Sequence, residues 1–308
     1  MSQLPEQPPA AHHLGRHMDS ELSSQPDCWE RAIAQSATEQ YLPEHGQRIA
    51  VVGCGTSWFM AQSYAAARES SGNGETDAYP ASEASAVYTR RYDSVVAITR
   101  SGTTSEILSL LEELKGKVPS VVILGDVDSP AAALADSVVG LPYADESSVV
   151  QTRFATSALV YLLTSVGVDL SSAVADARDA VSAATPAELL TAEQFSFLGT
   201  GWTIGLAHEA ALKMREGVQG WTESYPAMEY RHGPIAIAQP GRVTWVIGQE
   251  PSGLRDEVAA TGALHVSTGA HPLADLVRIH KITLDRARAR DLDPDNPRSL
   301  SRSVVLEG

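Results

Sequence analysis

The chain has 308 residues, a formal net charge of −15, 43% hydrophobic and 20% charged residues. A field of that sign repels nucleic acid and slows anionic metabolites, so any phosphate site must rely on local donors. Two cysteines, Cys28 and Cys54, give neither a disulfide framework nor a paired zinc motif and suit a reducing cytoplasm, and no apolar run reaches the ~18 residues of a membrane helix.

Residues 1–17 are polar and proline-rich and read as a disordered lead-in without the apolar core of a signal peptide. His12, His13 and His17 are scattered through it, and such a tail seldom holds a metal. From residue 18 the pattern alternates. RIAVVG (48–53) reads as a buried strand and TSWFMAQSYAAARE (56–69) as a helix. SVVAIT (94–99) and SVVILGD (120–126) are strands around the helix SEILSLLEELKG (105–116). A short helix and strand follow in 130–142, then a long apolar helix in 149–167. This alternation over 18–170 predicts an α/β domain with a parallel sheet covered on both faces.

Residues 171–190 read as a helical linker, 191–290 as a second, shorter α/β domain and 291–308 as a tail. FSFLGTG (195–201) repeats the strand, Gly-x-Gly, helix order of IAVVGCGTS (49–57); VTWVIG (243–248) and ALHVST (263–268) are further strands. VVGCGTSWFM (51–60) lacks the third glycine and the distant acid of a dinucleotide site, and no Walker lysine follows a glycine loop. No cofactor and no metal are expected.

Ligands in such sheets bind beyond the carboxyl ends of the strands. There, residues 99–104 read TRSGTT. Thr103 with Glu106 fits a capping box, and Gly102 eases the turn. The same hydroxyls, with Thr56 and Ser57 of the neighbouring turn, also suit an anion on the first turn of a helix. Arg100 either adds charge to that site or faces solvent. In HEAALKMREGVQGWTESYPAMEYRHGP (208–234), Glu209, Lys213 and Glu216 share one helix face. They form a solvated ion-pair ladder or, with His232 before Gly233 and Pro234, a proton-transfer set for a sugar carbon.

Six stretches occur in the order found in one family: 18–32, GCGTS, TRSGTTSE, ESSVVQTRFAT (146–156), HEAALKMRE with YRHGP, and PDNPRSLSRSVVLE (294–307). Together they resemble the double-SIS (sugar isomerase) family. The likeness is to the isomerase half of glucosamine-6-phosphate synthases and to galactosamine-6-phosphate deaminase/isomerases. The resemblance implies two flavodoxin-like, three-layer αβα domains with parallel sheets. It implies that Ser57, Thr99, Arg100, Ser101, Gly102 and Thr104 bind a sugar phosphate, and that Thr56, Val149, Gln151 and Arg302 face the sugar. Glu216 matches the carboxylate that moves a proton between C1 and C2. Lys213 matches a lysine on the same helix face. His232 matches a ring-opening histidine supplied by the neighbouring subunit, hence a homodimer with a shared site.

Two departures matter. Gln151 stands where the family has serine. Arg302 stands where the synthases have an imine-forming lysine, and a guanidinium cannot form that imine. Residues 1–4, MSQL, lack a cysteine nucleophile at position 2, so no glutaminase domain is expected. The reading is a cytoplasmic aldose–ketose isomerase of a phosphorylated sugar or amino sugar, releasing ammonia when C2 carries an amine. Its rivals are a phosphosugar sensor without catalysis and a deglycase of a phosphorylated sugar–amine adduct.

Overall fold

The computed structural model describes residues 14–306; His12 and His13 lie outside the described residues. Residues 14–17, expected in the lead-in, are instead docked. The Gly15 and His17 amides donate to Asp293 Oδ1 (2.9 Å) and Asp295 Oδ2 (2.8 Å). These bonds start helix α1 (Arg16–Ser23), and α2 (Gln25–Ser36) follows.

The first sheet contains β1 (Ile49–Gly53), β2 (Thr76–Pro80), β3 (Ser94–Thr99), β4 (Ser120–Leu124) and β5 (Ser137–Gly140). All pairs are parallel, in the order β2-β1-β3-β4-β5. β1, β3 and β4 are buried along their whole length, which is why their sequences are continuous apolar runs. Their crossovers hold α3 (Thr56–Ser70), α4 (Ser85–Thr89), α5 (Ser105–Leu114) and α6 (Pro130–Leu134); α7 (Arg153–Ser165) follows β5. The predicted 149–167 helix thus starts only at Arg153. Residues 149–152 form a loop beyond the capped end of α7.

The expected linker is two helices, α8 (Ala173–Ser182) and α9 (Ala187–Thr191), broken ahead of Pro186; a proline disfavours helix at the residue before it. The second sheet contains β6 (Gln194–Gly199), β7 (Trp221–Pro226), β8 (Arg242–Ile247) and β9 (Leu264–Val266), parallel in the order β7-β6-β8-β9. This is the order of the first sheet without a counterpart of β5. Its helices are α10 (Thr203–Val218), α11 (Leu254–Ala260) and α12 (Pro272–Ala289).

One apolar core runs from Val51 and Ile98 in the first sheet to Phe197 and Trp245 in the second. Each large aliphatic or aromatic side chain buried there stabilises the fold by about 1.5–3 kcal/mol. Helices α3 and α10 cross at Gly205, where a Cβ would stand 2.2 Å from Ser63 Oγ and 2.3 Å from the Phe59 carbonyl. That close crossing sets the first turn of α3 against the middle of α10.

Candidate functional site

Strands β1 and β3 are neighbours, with Gly53 opposite Ile98, so the turns that leave them lie side by side. A Cβ on Gly53 would stand 2.5 Å from the Ser57 carbonyl carbon. Glycine therefore lets α3 start hard against the strand, placing Thr56 and Ser57 in its first turn. In the second turn Gly102 has φ +61, and a Cβ there would meet Ser129 Oγ at 1.9 Å. Thr99, Arg100 and Ser101 are buried, and the loop hydroxyls bond one another. Thr103 Oγ1 donates to Ser101 Oγ (3.0 Å), and the Gly102 amide donates to Thr99 Oγ1 (3.3 Å).

The capping box does not form. Thr104, not Thr103, is the N-cap of α5, and it makes no side-chain cap. The C-terminal tail supplies the missing acceptor instead. The Ser105 amide donates to the Val304 carbonyl (3.2 Å), and Ser303 Oγ lies 2.9 Å from Thr103 Oγ1, within hydrogen-bond reach.

Arg100 does not face solvent. Its side chain is 1% exposed. Its guanidinium donates to the carbonyls of Ser148 (2.8 Å), Val149 (3.3 Å) and Arg302 (2.9 Å). Glu146 lies 3.9 Å away and is as deeply buried. Glu146 Oε1 accepts from the Thr152 amide (2.7 Å), the Thr152 hydroxyl (2.8 Å) and the Arg153 amide (2.8 Å), capping α7. Burial pushes this carboxyl above its ordinary pKa, against the pull of Arg100.

The ion-pair ladder on α10 is not solvated. Glu209 and Lys213 are fully buried, and the Glu216 side chain is 20% exposed. Lys213 Nζ sits 3.6 Å from Glu209 Oε1 and bonds Glu216 Oε2 directly. From α12, His280 brings Nε2 to 3.7 Å from Glu209 Oε1, while its Nδ1 lies 3.4 Å from Gln25 Nε2. Burial raises Glu209 to about 7, with Lys213 and the Thr56 hydroxyl pulling it back. Burial also works against the Lys213 ammonium, but Glu209 and Glu216 outweigh it and hold its pKa above the ordinary value. Burial, then Lys213, lowers His280 to about 3. The cluster is therefore a charged lysine between two carboxyls, with a neutral imidazole behind it.

Glu216 opens into a cavity of about 430 Å³ whose lining includes Leu212, Arg215, Arg298 and Leu300. Leu300 is three residues from Ser303, a span of at most about 11 Å. The tail thus runs from the Glu216 cavity to the hydroxyl loop.

The structure groups Thr99, Ser101, Gly102 and Thr104 in one loop, and sets Thr56 against Glu209. Val149 lies beside that loop through the Arg100 bond. Gln151 keeps Oε1 buried without a hydrogen-bond partner among the described residues. His232 is exposed, in the 3-10 turn Glu229–His232 after β7; among the described residues it forms no hydrogen bond with Lys213 or Glu216. The Arg302 guanidinium turns to Asp145 Oδ1 (2.5 Å) and the Glu146 carbonyl (3.1 Å). Sequence reasoning missed His280, which no local motif marks; Gln25 was in view within the 18–32 stretch but was given no role. It also missed Ser303, although its tail motif was in view. Among the described residues no three His, Cys, Asp or Glu side chains cluster to hold a metal, and no helix is long and apolar enough to cross a membrane.

Residues 44–166 match the model of the SIS domain. The glutamine–fructose-6-phosphate aminotransferase (isomerizing) of Sulfurisphaera tokodaii is 25% identical over 300 residues, 86% of this chain and 51% of that protein. The chain thus spans about half the length of the curated relatives it matches. In fold, it is similar to glucosamine-6-phosphate deaminase of Thermotoga maritima, with TM-score 0.79 at 23% identity over 94% of this chain and 99% of that one. It is also similar to tagatose-6-phosphate ketose/aldose isomerase of Escherichia coli, with TM-score 0.75 at 18% identity over 97% and 98% of the two chains.

Proposed function

We propose that this chain, whose residues 44–166 match the SIS domain, is an aldose–ketose isomerase of a phosphorylated sugar, releasing ammonia when C2 carries an amine. One observation carries the reading. A buried lysine is shared by two carboxylates, and of the two, Glu216 opens on the cavity that the tail joins to the hydroxyl loop.

The phosphate dianion rests on the hydroxyls of Ser57, Thr99, Ser101 and Thr104 and on the amide dipoles at the start of α5. Arg100 serves that loop from behind, through carbonyls. Anchoring the phosphate fixes the reacting carbons without contact at those carbons, so binding energy is converted to orientation. Lys213 holds the Glu216 carboxyl in place through a direct bond to Oε2. Glu216 then takes the proton from one of C1 and C2 and returns it to the other, through an enediol or, for an amino sugar, an enolamine. In the amino-sugar case water replaces the nitrogen on the resulting imine, and ammonia leaves. His232 assists ring opening from a second copy of the chain, because in its own chain it is exposed and apart from Glu216. No imine to the protein forms at residue 302, where a guanidinium stands and is held by Asp145.

Incubation with a panel of hexose and hexosamine 6-phosphates, assayed for ketose and for ammonia, tests this. Ketose without ammonia marks an isomerase, and both together a deaminase. Saturable binding with neither product would replace the enzyme reading by a sensor.

A further inference from the structure

We propose that Arg100 is a positioning residue that locks the C-terminal tail onto the hydroxyl loop, and that Ser303, held there, is a further hydroxyl ligand of the bound anion. The second half rests on reading that loop as the phosphate site; the first half does not.

Arg100 is a buried cation whose hydrogen bonds go to backbone carbonyls of two separate segments. Two come from residues 148 and 149, and one from Arg302, 202 positions along the chain. The nearest carboxylate, Glu146, is at 3.9 Å and already caps α7 with its other oxygen. A buried charge needs its hydrogen bonds, so with the tail removed one N–H of the guanidinium loses its acceptor. A lysine offers a single ammonium on a flexible stem and cannot fork between these carbonyls.

The tail, for its part, has little else to hold it. Val304, Val305 and Leu306 leave 53%, 65% and 63% of their surface in solvent, so apolar burial does not fasten them. Its attachments are polar. Arg302 reaches Asp145, Ser303 bonds Thr103, the Val304 carbonyl accepts from the Ser105 amide, and the Leu306 amide donates to Ser105 Oγ (2.9 Å). Ser303 Oγ also stands 3.5 Å from Thr104 Oγ1. It therefore joins the hydroxyl chain of Ser101, Thr103 and Thr104, and each proton in that chain can rotate toward an anion. The tail is a part of the cradle that only Arg100 and a few polar contacts keep in place.

Amide hydrogen exchange and calorimetric titration with glucose 6-phosphate, both on the full chain, test the two halves. Arg100→Gln is expected to speed exchange of the 303–306 amides at least about tenfold, leave β3 unchanged and weaken glucose 6-phosphate about tenfold. Arg100→Lys should rescue neither effect. Ser303→Ala is expected to weaken binding about fivefold. Wild-type exchange of the tail in Arg100→Gln would overturn the lock. Wild-type or tighter binding by Ser303→Ala, where Thr104→Val weakens it, would overturn the ligand role and leave the phosphate loop standing. If Thr104→Val also binds as wild type, the phosphate-loop reading fails, the ligand role fails with it, and the exchange data judge the lock alone. Should Arg100→Gln not fold, Arg100→Lys carries the test. Faster tail exchange and weaker binding are expected there too, and an unchanged tail would overturn the lock.

Discussion

The loops after β3 and after β8 occupy the same place in two sheets of the same strand order. The first offers Thr99, Ser101, Thr103 and Thr104 and leads into a ten-residue helix. The second, residues 248–253, reads GQEPSG and leads into a seven-residue helix with Asp256 and Glu257 in its first turn. Its Glu250 is committed to Arg255 (3.0 Å) and His265 (3.0 Å). A dianion would meet hydroxyls at the first loop and carboxylates at the second. The contrast reverses at the helices that follow β1 and β6. Both begin against a glycine, Gly53 or Gly199, where a Cβ would strike the first turn. Yet α10 alone of the two carries the buried Glu209 and Lys213. One scaffold, used twice, carries a hydroxyl loop on one copy and a buried lysine–carboxyl cluster on the other. In the function proposed above, that difference in side chains divides binding from proton transfer, since the backbone geometry is shared.

That division can be broken in order of expected effect. Replacing Glu216 by Gln should lower kcat about 10²- to 10⁴-fold while glucose 6-phosphate still binds; turnover at the wild-type rate would remove the base from α10. Lys213→Met leaves Glu209 buried without its cation, and loss of one partner of such a pair costs about 3–5 kcal/mol. Chemical denaturation should show that loss, and a change under about 1 kcal/mol would mean the cluster is not a structural unit.

A pH series sharpens the picture of the same cluster. His280 is held neutral down to about pH 3, whereas an unfolded histidine titrates near 6.5. Between these values the folded chain binds fewer protons, so this group's contribution falls as pH drops from about 6.5 toward 3. Glu209, raised to about 7, works in the opposite sense. Its contribution is full below an ordinary glutamate pKa and is lost as pH rises through about 7. Melting of His280→Gln between pH 4 and 7 should therefore decline less steeply toward acid than wild type. Parallel curves would show that the imidazole does not titrate on unfolding. The smallest effect pairs the two loops. Thr104→Val should raise KM about tenfold with kcat nearly unchanged, whereas Ser252→Val, on the matching loop of the second sheet, should do nothing measurable. Equal effects from both would erase the distinction between the sheets.

How far such a site can be read in advance depends on the burial of its strands. β1, β3, β4, β6 and β8 were legible because buried parallel strands are continuous apolar runs. β2 and β7 were not. Both are outer strands, TDAYP and WTESYP, with mixed burial and no apolar period. The hydroxyl loop and the Glu209, Lys213, Glu216 face were visible as local spacings. Whether that face was a solvated ladder or a buried cluster was not, because spacing is identical in the two cases and only the packing of α12 and α3 against α10 removes the water. Arg100 shows the same limit: its sequence neighbours suggest a phosphate ligand, and its acceptors lie 48, 49 and 202 residues away.

The amino-acid order by itself determined the alternation of strand and helix, the two Gly-x-Gly turns, and the residue types at the strand ends. Those are consequences of local sterics and of hydrophobic period, which act within a few residues. Tertiary structure alone decided which charges lost their water, that His280 stands behind Glu209, and that residues 303–306 lie along the hydroxyl loop. Burial and long-range hydrogen bonds depend on what the rest of the chain brings alongside, and no short stretch of sequence carries that information.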